Sequence, residues 1–247
     1  MKRLIGVVTV KNNLAVQSFG YKNYLPLGKP EILVKNLDRW GADEILVNVI
    51  DRSKKNLGPD FELLKKIKKT KISTPLIYGG GINSFKDANE VIKNGADRIL
   101  IENIFNERLS EVKKISSYIG SQSVIMSLPL TVENDNLFQF NYITKKKEFL
   151  KKTFLNSIDF ISEILIIDYK NEGFENKFDI KILDKFPKLK IPKIVFGGVY
   201  GDKKIKKILN KKNVQAVAVG NSLNYKEHCV KKIKSKNKNF TRLSFYE

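Results

Sequence analysis

The segment Thr74-Pro-Leu-Ile-Tyr-Gly-Gly-Gly-Ile82, continued by Asn83-Ser-Phe-Lys-Asp-Ala-Asn-Glu-Val-Ile-Lys-Asn-Gly95, decides the architecture. A short apolar run ends in three glycines, and a helical pattern opens directly after it, with Ser84 as N-cap. Glycines at a strand-to-helix junction let backbone N–H groups approach an anion, and the helix N-terminus adds a favourable dipole. The stretch is a phosphate cradle in outline, although the same glycines also suit a plain tight turn.

The pattern returns later in the chain. Ile191-Pro, Gly197-Gly198, a helical run and Gln215-Ala-Val-Ala-Val219 repeat the order of Thr74-Pro, the three glycines, the helix and Asp97-Arg-Ile-Leu-Ile101. Glu44-Ile-Leu-Val47 is likewise echoed by Glu163-Ile-Leu-Ile166. Repeats at roughly half the chain length read as two half-barrels rather than solenoid units.

Apolar runs rich in Val and Ile predict strands over residues 4–10, 44–50, 76–78, 98–102, 123–128, 163–167, 193–196 and 215–219,. Helical periodicity falls between them, over 30–40, 60–69, 84–94, 106–118, 148–160, 179–186, 202–210 and 226–234,. Residues 17–29 read as a polar loop carrying Phe19, Tyr21 and Tyr24, and the alternation around 131–147 as an exposed hairpin,. Eight strand–helix units predict an α/β chain, a single (β/α)8 TIM barrel over residues 1–247, with the hairpin as an insertion. The two glycine turns then face each other across the barrel mouth, which suits a substrate with a phosphate at each end.

Composition narrows the function. The chain has 247 residues, 46 basic against 26 acidic, and a net charge of +20. The basic residues are mostly lysines on helical faces, such as Lys65, Lys66, Lys68 and Lys69, Lys203, Lys204, Lys206 and Lys207, and Lys231, Lys232 and Lys234. They are not interleaved with aromatics, so a solvated face is favoured over a nucleic-acid surface. No apolar run could span a bilayer, which argues against a membrane partner. One cysteine, Cys229 in a polar setting, allows no internal disulfide, and with no secretion signal the default address is cytoplasmic,. With one histidine, His228, no metal constellation is expected, and no cofactor is implied.

The motifs Arg3-Leu-Ile-Gly-Val-Val8, Val10-Lys11, Gly28-Lys-Pro30, Gly41-Ala-Asp-Glu44, Tyr78-Gly-Gly-Gly-Ile82, Gly95-Ala-Asp97 and Gly197-Gly198 together resemble the cyclase subunit of imidazole glycerol phosphate synthase. The resemblance covers essentially the whole chain. It implies a synthase subunit that takes ammonia from a glutaminase partner, as a heterodimer, and closes an imidazole ring on a phosphorylated substrate. It implies a charged ammonia gate at the barrel bottom, falling on Arg3, Glu44, Arg98 and Glu163, and a role for Asp97 in docking the glutaminase. It places substrate phosphates at Gly80 and Gly81 with Asn103, and at Gly173, Gly197, Gly198, Gly220 and Asn221.

Three departures bear on function. The two catalytic acids of the family fall on Thr9 and Pro129, neither of which can act as a general acid or base,. A third family Asp falls on Val49. Glu102 replaces a neutral residue of a phosphate site, where its charge would repel an anion,. Lys11, Asp51 and Asp168 become the catalytic candidates, with Gln17, Glu102 and Lys170 as further polar mouth residues. The resemblance therefore points to a diverged relative that aminates or amidinates a phosphorylated or nucleotide-linked sugar in surface-polysaccharide biosynthesis. The alternatives are a genuine histidine-pathway enzyme with substituted acids and a non-catalytic barrel that regulates a glutaminase.

Overall fold

The computed structural model describes residues 1–102, 104, 108–150, 158–225, 228–236 and 240. Eight parallel strands close a barrel: β1 (Arg3–Lys11), β4 (Glu44–Val49), β5 (Leu76–Gly79), β6 (Arg98–Ile101), β7 (Val124–Glu133), β10 (Glu163–Asp168), β11 (Lys193–Phe196) and β12 (Val214–Val219). They pair in that order, and β10 closes the ring against β7 through the pair Glu163↔Ile125 while β12 closes it against β1. Helices α1 (Pro30–Arg39), α2 (Phe61–Lys69), α3 (Phe85–Lys93), α4 (Leu109–Ile119), α5 (Lys181–Lys185) and α6 (Asp202–Leu209) cover the outside, followed by α7 (Asn221–Tyr225) and α8 (Cys229–Ser235). This is the (β/α)8 barrel that the alternating pattern predicts.

Strand alternation divides the core in two. Inward residues such as Ile5, Val7, Leu46, Ile77, Leu100 and Leu165 fill the barrel, while Leu4, Val8, Ile45 and Val47 meet the helices,. The helices form because of their apolar stripes, and α2 and α3 also have side-chain caps at their starts,. In α2, Leu63, Leu64 and Ile67 are buried, the lysines face outward, and the Asp60 carboxylate accepts the Leu63 N–H at 3.0 Å,. In α3, Ser84 Oγ accepts the Asp87 N–H at 3.1 Å, as its position predicts.

Several local expectations are corrected. Residues 17–29 are not a loop: β2 (Leu14–Phe19) and β3 (Asn23–Gly28) form an antiparallel hairpin continuing from β1. A bulge at Ala15/Val16 and the left-handed turn residues Gly20 and Tyr21 hide the period-two pattern,. The fifth barrel strand runs on to Glu133 and pairs with β8 (Asn136–Phe140), which pairs with β9 (Lys147–Phe149). The expected hairpin is present, but residues 147–149 are strand rather than the start of a helix, because Phe149 pairs with Phe138. Residues 151–157 of that expected helix, 106–107 of the next-earlier one, and 226–227 lie outside the described residues.

Near the C-terminus, Cys229 packs in the core rather than in a polar setting. Lys234, expected at the surface, is buried because its ammonium pairs with Asp43 at 2.8 Å. Asp43 also accepts the Leu4 N–H at 2.7 Å. Its counterpart Asp97 accepts the Leu76 N–H at 2.8 Å. The two Gly-Ala-Asp motifs thus do the same work: each ties the loop entering one strand to the N-terminal edge of a neighbouring strand.

Candidate functional site

At the N-terminal end of the barrel, four side chains on the inward phase of their strands close one ring. Arg3 pairs with Glu44 at 3.0 Å and with Glu163; Arg98 pairs with Glu44 at 3.1 Å and with Glu163 at 2.6 Å. Each carboxylate bridges both guanidiniums, so charge alternates around the ring. Burial raises the Glu44 carboxyl above its ordinary range against the pull of Arg3 and Arg98,. Burial also works against the Arg3 charge, but bonds to Glu163 and Glu44 outweigh it. Arg98 is further fixed by the Ser162 hydroxyl at 2.7 Å and the Gln122 carbonyl at 3.1 Å. The structure thus brings together the four residues that the resemblance implied, with exposed Asp97 at the same end.

At the mouth, Thr9 continues the inward line of Ile5 and Val7, and Pro129 that of Ile125 and Ser127. The two positions where the resemblance implies acids therefore face the barrel axis. Val49 is outward and packed in the outer core. Lys11 is the next inward residue of β1; its ammonium lies over the Tyr24 ring, 3.5 Å from the centroid,. Asp51 is engaged as a rim tether: it accepts from Lys55 at 2.7 Å and from the Asn12 N–H at 3.3 Å. These bonds outweigh its burial and hold its pKa below the usual carboxylate value.

Asp168 differs from the expectation of a mouth residue. It is on the outward phase of β10 and 1% exposed. It accepts from Asn171 Nδ2 and from the Asp179 N–H, both at 2.8 Å, and so shapes the loop after β10. Burial raises its carboxyl against those hydrogen bonds. Lys170 pairs with Glu133, which also holds Lys147 at 2.5 Å, tying the inserted hairpin to that loop.

The glycine turns sit at the mouth, but their surroundings are full. Gly81 has φ +73°, and a Cβ there would lie 2.2 Å from the Gly58 carbonyl oxygen. Its N–H donates to Ser53 Oγ at 3.1 Å. The close turn is thus a packing requirement as well as a cradle, and Gly80 packs against Val49 in the same way. Asn103 lies outside the described residues. On the opposite side, Gly173, Gly198, Gly220 and Asn221 line one small cavity with Glu172, Glu175 and Ser222, and Gly197 precedes it at the end of β11. Glu175 accepts from Ser222 Oγ at 3.0 Å. The Asn221 side chain accepts the Ser18 N–H and donates to the Ser18 carbonyl. Two carboxylates and an engaged amide thus line the cavity where the resemblance implies a phosphate.

Glu172 is the organiser of this side. It accepts from Ser18 Oγ at 2.8 Å and from the Tyr21 N–H at 3.2 Å, so it pins the tip of the β2–β3 hairpin over the mouth. Burial raises its carboxyl despite these bonds. Sequence reasoning does not reveal this pinning role, since residues 17–29 read as a loop. It also missed Ser127, Tyr142 and Tyr169 as mouth residues; inward phase on β7 was the one available signal, for Ser127.

Among the described residues, no cluster of His, Cys, Asp and Glu could hold a metal, and no helix is long and apolar enough to cross a membrane.

Comparison with known proteins agrees with this geometry. A family model described as histidine biosynthesis protein matches residues 3–229. A Vibrio vulnificus protein, provisionally named imidazole glycerol phosphate synthase subunit hisF2, is 28% identical over 92% of this chain and 84% of its own length. A Staphylococcus saprophyticus protein named imidazole glycerol phosphate synthase subunit HisF is 26% identical over 95% of each chain. A Campylobacter jejuni protein, provisionally named as a hisF2 subunit, is 28% identical over 80% of this chain and 79% of its own. The family match begins at Arg3, the first member of the charged ring, and ends in the last helix: this chain belongs to the histidine biosynthesis protein family.

Proposed function

We propose that this chain is the ammonia-using synthase subunit of a glutamine amidotransferase, acting on a phosphorylated or nucleotide-linked sugar in surface-polysaccharide biosynthesis. The observation that carries the reading is the closed ring of Arg3, Glu44, Arg98 and Glu163 around the barrel axis. Four long charged side chains held in one alternating circuit at the foot of a barrel suit a gate for a small neutral molecule. Exposed Asp97 at the same end suits a glutaminase docked beneath it. Thr9 and Pro129 face the axis where ring closure would need acids, which argues for another acceptor. Carboxylates lining the C-terminal cradle argue in the same direction.

The test pairs the purified chain with its glutaminase and supplies glutamine or ammonium salts with a panel of nucleotide sugars. Transfer of nitrogen to one of them supports the reading; transfer to none, from either nitrogen source, refutes it.

The names carried by the relatives favour a second reading, retained imidazole ring closure in histidine biosynthesis. Complementation of a histidine auxotroph lacking its own cyclase subunit decides it. Growth without histidine would mean that Thr9 and Pro129 are compatible with ring closure.

A further inference from the structure

The barrel mouth, the chamber above the inward side chains of the strands, also holds groups that belong to neither glycine turn. Its floor is Glu102, the inward residue just past β6, which accepts from Ser127 Oγ at 3.0 Å. The β6–β7 register pairs Ile101 with Met126, so Glu102 stands opposite Ser127. Pro129, where an acid is missing, is the next inward residue along β7. A carboxyl therefore lies one strand over and one layer below the emptied position.

The roof is aromatic. Tyr21, from the β2–β3 turn, meets Tyr142, which follows β8, edge to face with ring centroids 5.0 Å apart. Phe140 contacts Tyr142 and stacks on Tyr169 at 4.5 Å. The hydroxyls of Tyr21 and Tyr142 are buried and have no hydrogen-bond partner among the described residues. Buried hydroxyls are almost always satisfied, so two orphans in one chamber mark atoms that a ligand would complete.

The groups facing the chamber are neutral donors. Burial holds both phenols well above their ordinary pKa, and the charges of Glu172 and Glu102 push the same way. Tyr169 is raised to about 12, first by burial. Burial also lifts the Glu102 carboxyl to about 8, only partly offset by Ser127. At neutral pH Glu102 is thus largely a carboxylic acid that can donate its proton. The nearby cations are occupied elsewhere: Lys11 lies over Tyr24, and Lys170 is paired with Glu133. Neutral donors grouped together suit the oxygen of a carbonyl, which gains negative charge when attacked, better than a phosphate that is charged from the start.

We propose that Tyr21, Tyr142 and Glu102 form the binding pocket for a carbonyl oxygen of the ammonia acceptor, with Glu102 as the proton-transfer residue. The assignment rests on the amination reading above. In the step, the ammonia lone pair forms the C–N bond and the carbonyl π pair moves to oxygen. Glu102 gives its proton to that oxygen, and its carboxylate then takes a proton from the nitrogen. A second exchange through Glu102 releases the oxygen as water and leaves a C=N bond. No oxidant or reductant is consumed.

The experiment incubates the chain, with its glutaminase, in 15N-ammonium chloride and the small-molecule pool of cells that express it. Labelled metabolites are followed by mass spectrometry. Glu102→Gln is expected to lower labelling by about 100-fold or more, the range of general acid–base catalysis. Tyr21→Phe and Tyr142→Phe are expected to lower it while making the protein more stable, since each removes an unsatisfied buried hydroxyl. A merely structural role would leave labelling unchanged in both. Labelling by Glu102→Gln at the wild-type rate overturns the assignment and leaves the amination reading standing. No labelled product from the wild-type protein overturns the amination reading, and the assignment falls with it.

Discussion

Glu102→Gln should alter how stability depends on pH. In the folded protein burial lifts the Glu102 carboxyl from 4.5 to about 8. Between those values the folded state keeps a proton that the unfolded chain releases, so unfolding becomes easier as pH rises. The contribution is complete below the unfolded pKa and is lost on the way up to the folded one. At about 1.36 kcal/mol per unit, the whole displacement has an upper bound of roughly 4–5 kcal/mol. Linkage places about half of it, ~2.5 kcal/mol, between roughly pH 5 and pH 7. Solvent reaching the chamber screens part of this, which leaves a difference of about 1–2.5 kcal/mol. Burial also raises Glu44, Asp168 and Glu172, and these slope the pH curve in the same direction. They are present in both proteins, so the difference between wild type and variant isolates Glu102. Tyr21 and Tyr142 titrate above the window. The measurement is a series of urea unfolding curves across the window, read at constant m value. The variant should gain about 1–2.5 kcal/mol on the wild type as pH rises from roughly 5 to 7. Parallel curves would mean that Glu102 ionises normally, and a neutral acid in the chamber would be refuted.

Three further substitutions test other parts of the structure. Lys234→Met removes a cation paired with the buried Asp43 carboxylate and should cost about 3–5 kcal/mol in denaturant unfolding, with partial recovery when Asp43→Asn is added,. Gly81→Ala must hold φ +73° with its Cβ against the Gly58 carbonyl and should lose at least ~2 kcal/mol,. Gly28→Ala, at φ +116° in open space, should lose only about 1 kcal/mol by the same measurement,. Arg98→Met removes one cation shared by Glu44 and Glu163 and should cost roughly 2–3 kcal/mol,. In the paired complex it should depress glutamine-driven turnover while sparing ammonium-driven turnover, and equal losses in both would count against a gate.

The barrel was legible because its signals are local and redundant. Every barrel strand is a Val/Ile-rich run, and Asp60 and Ser84 cap the helices that their positions announce. The ring was implied by the resemblance alone, and strand phase accounts for its closure: Arg3, Glu44, Arg98 and Glu163 each begin a strand on the inward side. The mouth was less legible because its geometry is made by segments far apart in sequence. Tyr21 and Tyr142 meet only because a hairpin and an inserted strand fold over the same opening. Nothing in the local pattern of either segment announces that contact. Asp168 illustrates the opposite error, since a carboxylate at a strand end looks catalytic until phase places it outward. Lys234 sits among lysines that are exposed, and only the distant Asp43 distinguishes it.

The two half-barrels are alike at the bottom and unlike at the mouth, and this asymmetry bears on how function changed. Asp43 and Asp97 make the same bond to the strand beside them, and the charged ring draws members from both halves. At the mouth, the position after β6 carries Glu102 and the corresponding position after β12 carries Gly220. A glycine adds no side chain to the mouth, whereas Glu102 brings a half-buried carboxyl there. If ammonia enters through the ring as proposed, differences confined to the mouth bear on the acceptor and not on ammonia delivery. That is the arrangement needed if the nitrogen donor stays the same and the acceptor differs. On the proposal made for Glu102, a proton donor on the adjacent strand would serve where the resemblance implies acids at positions 9 and 129.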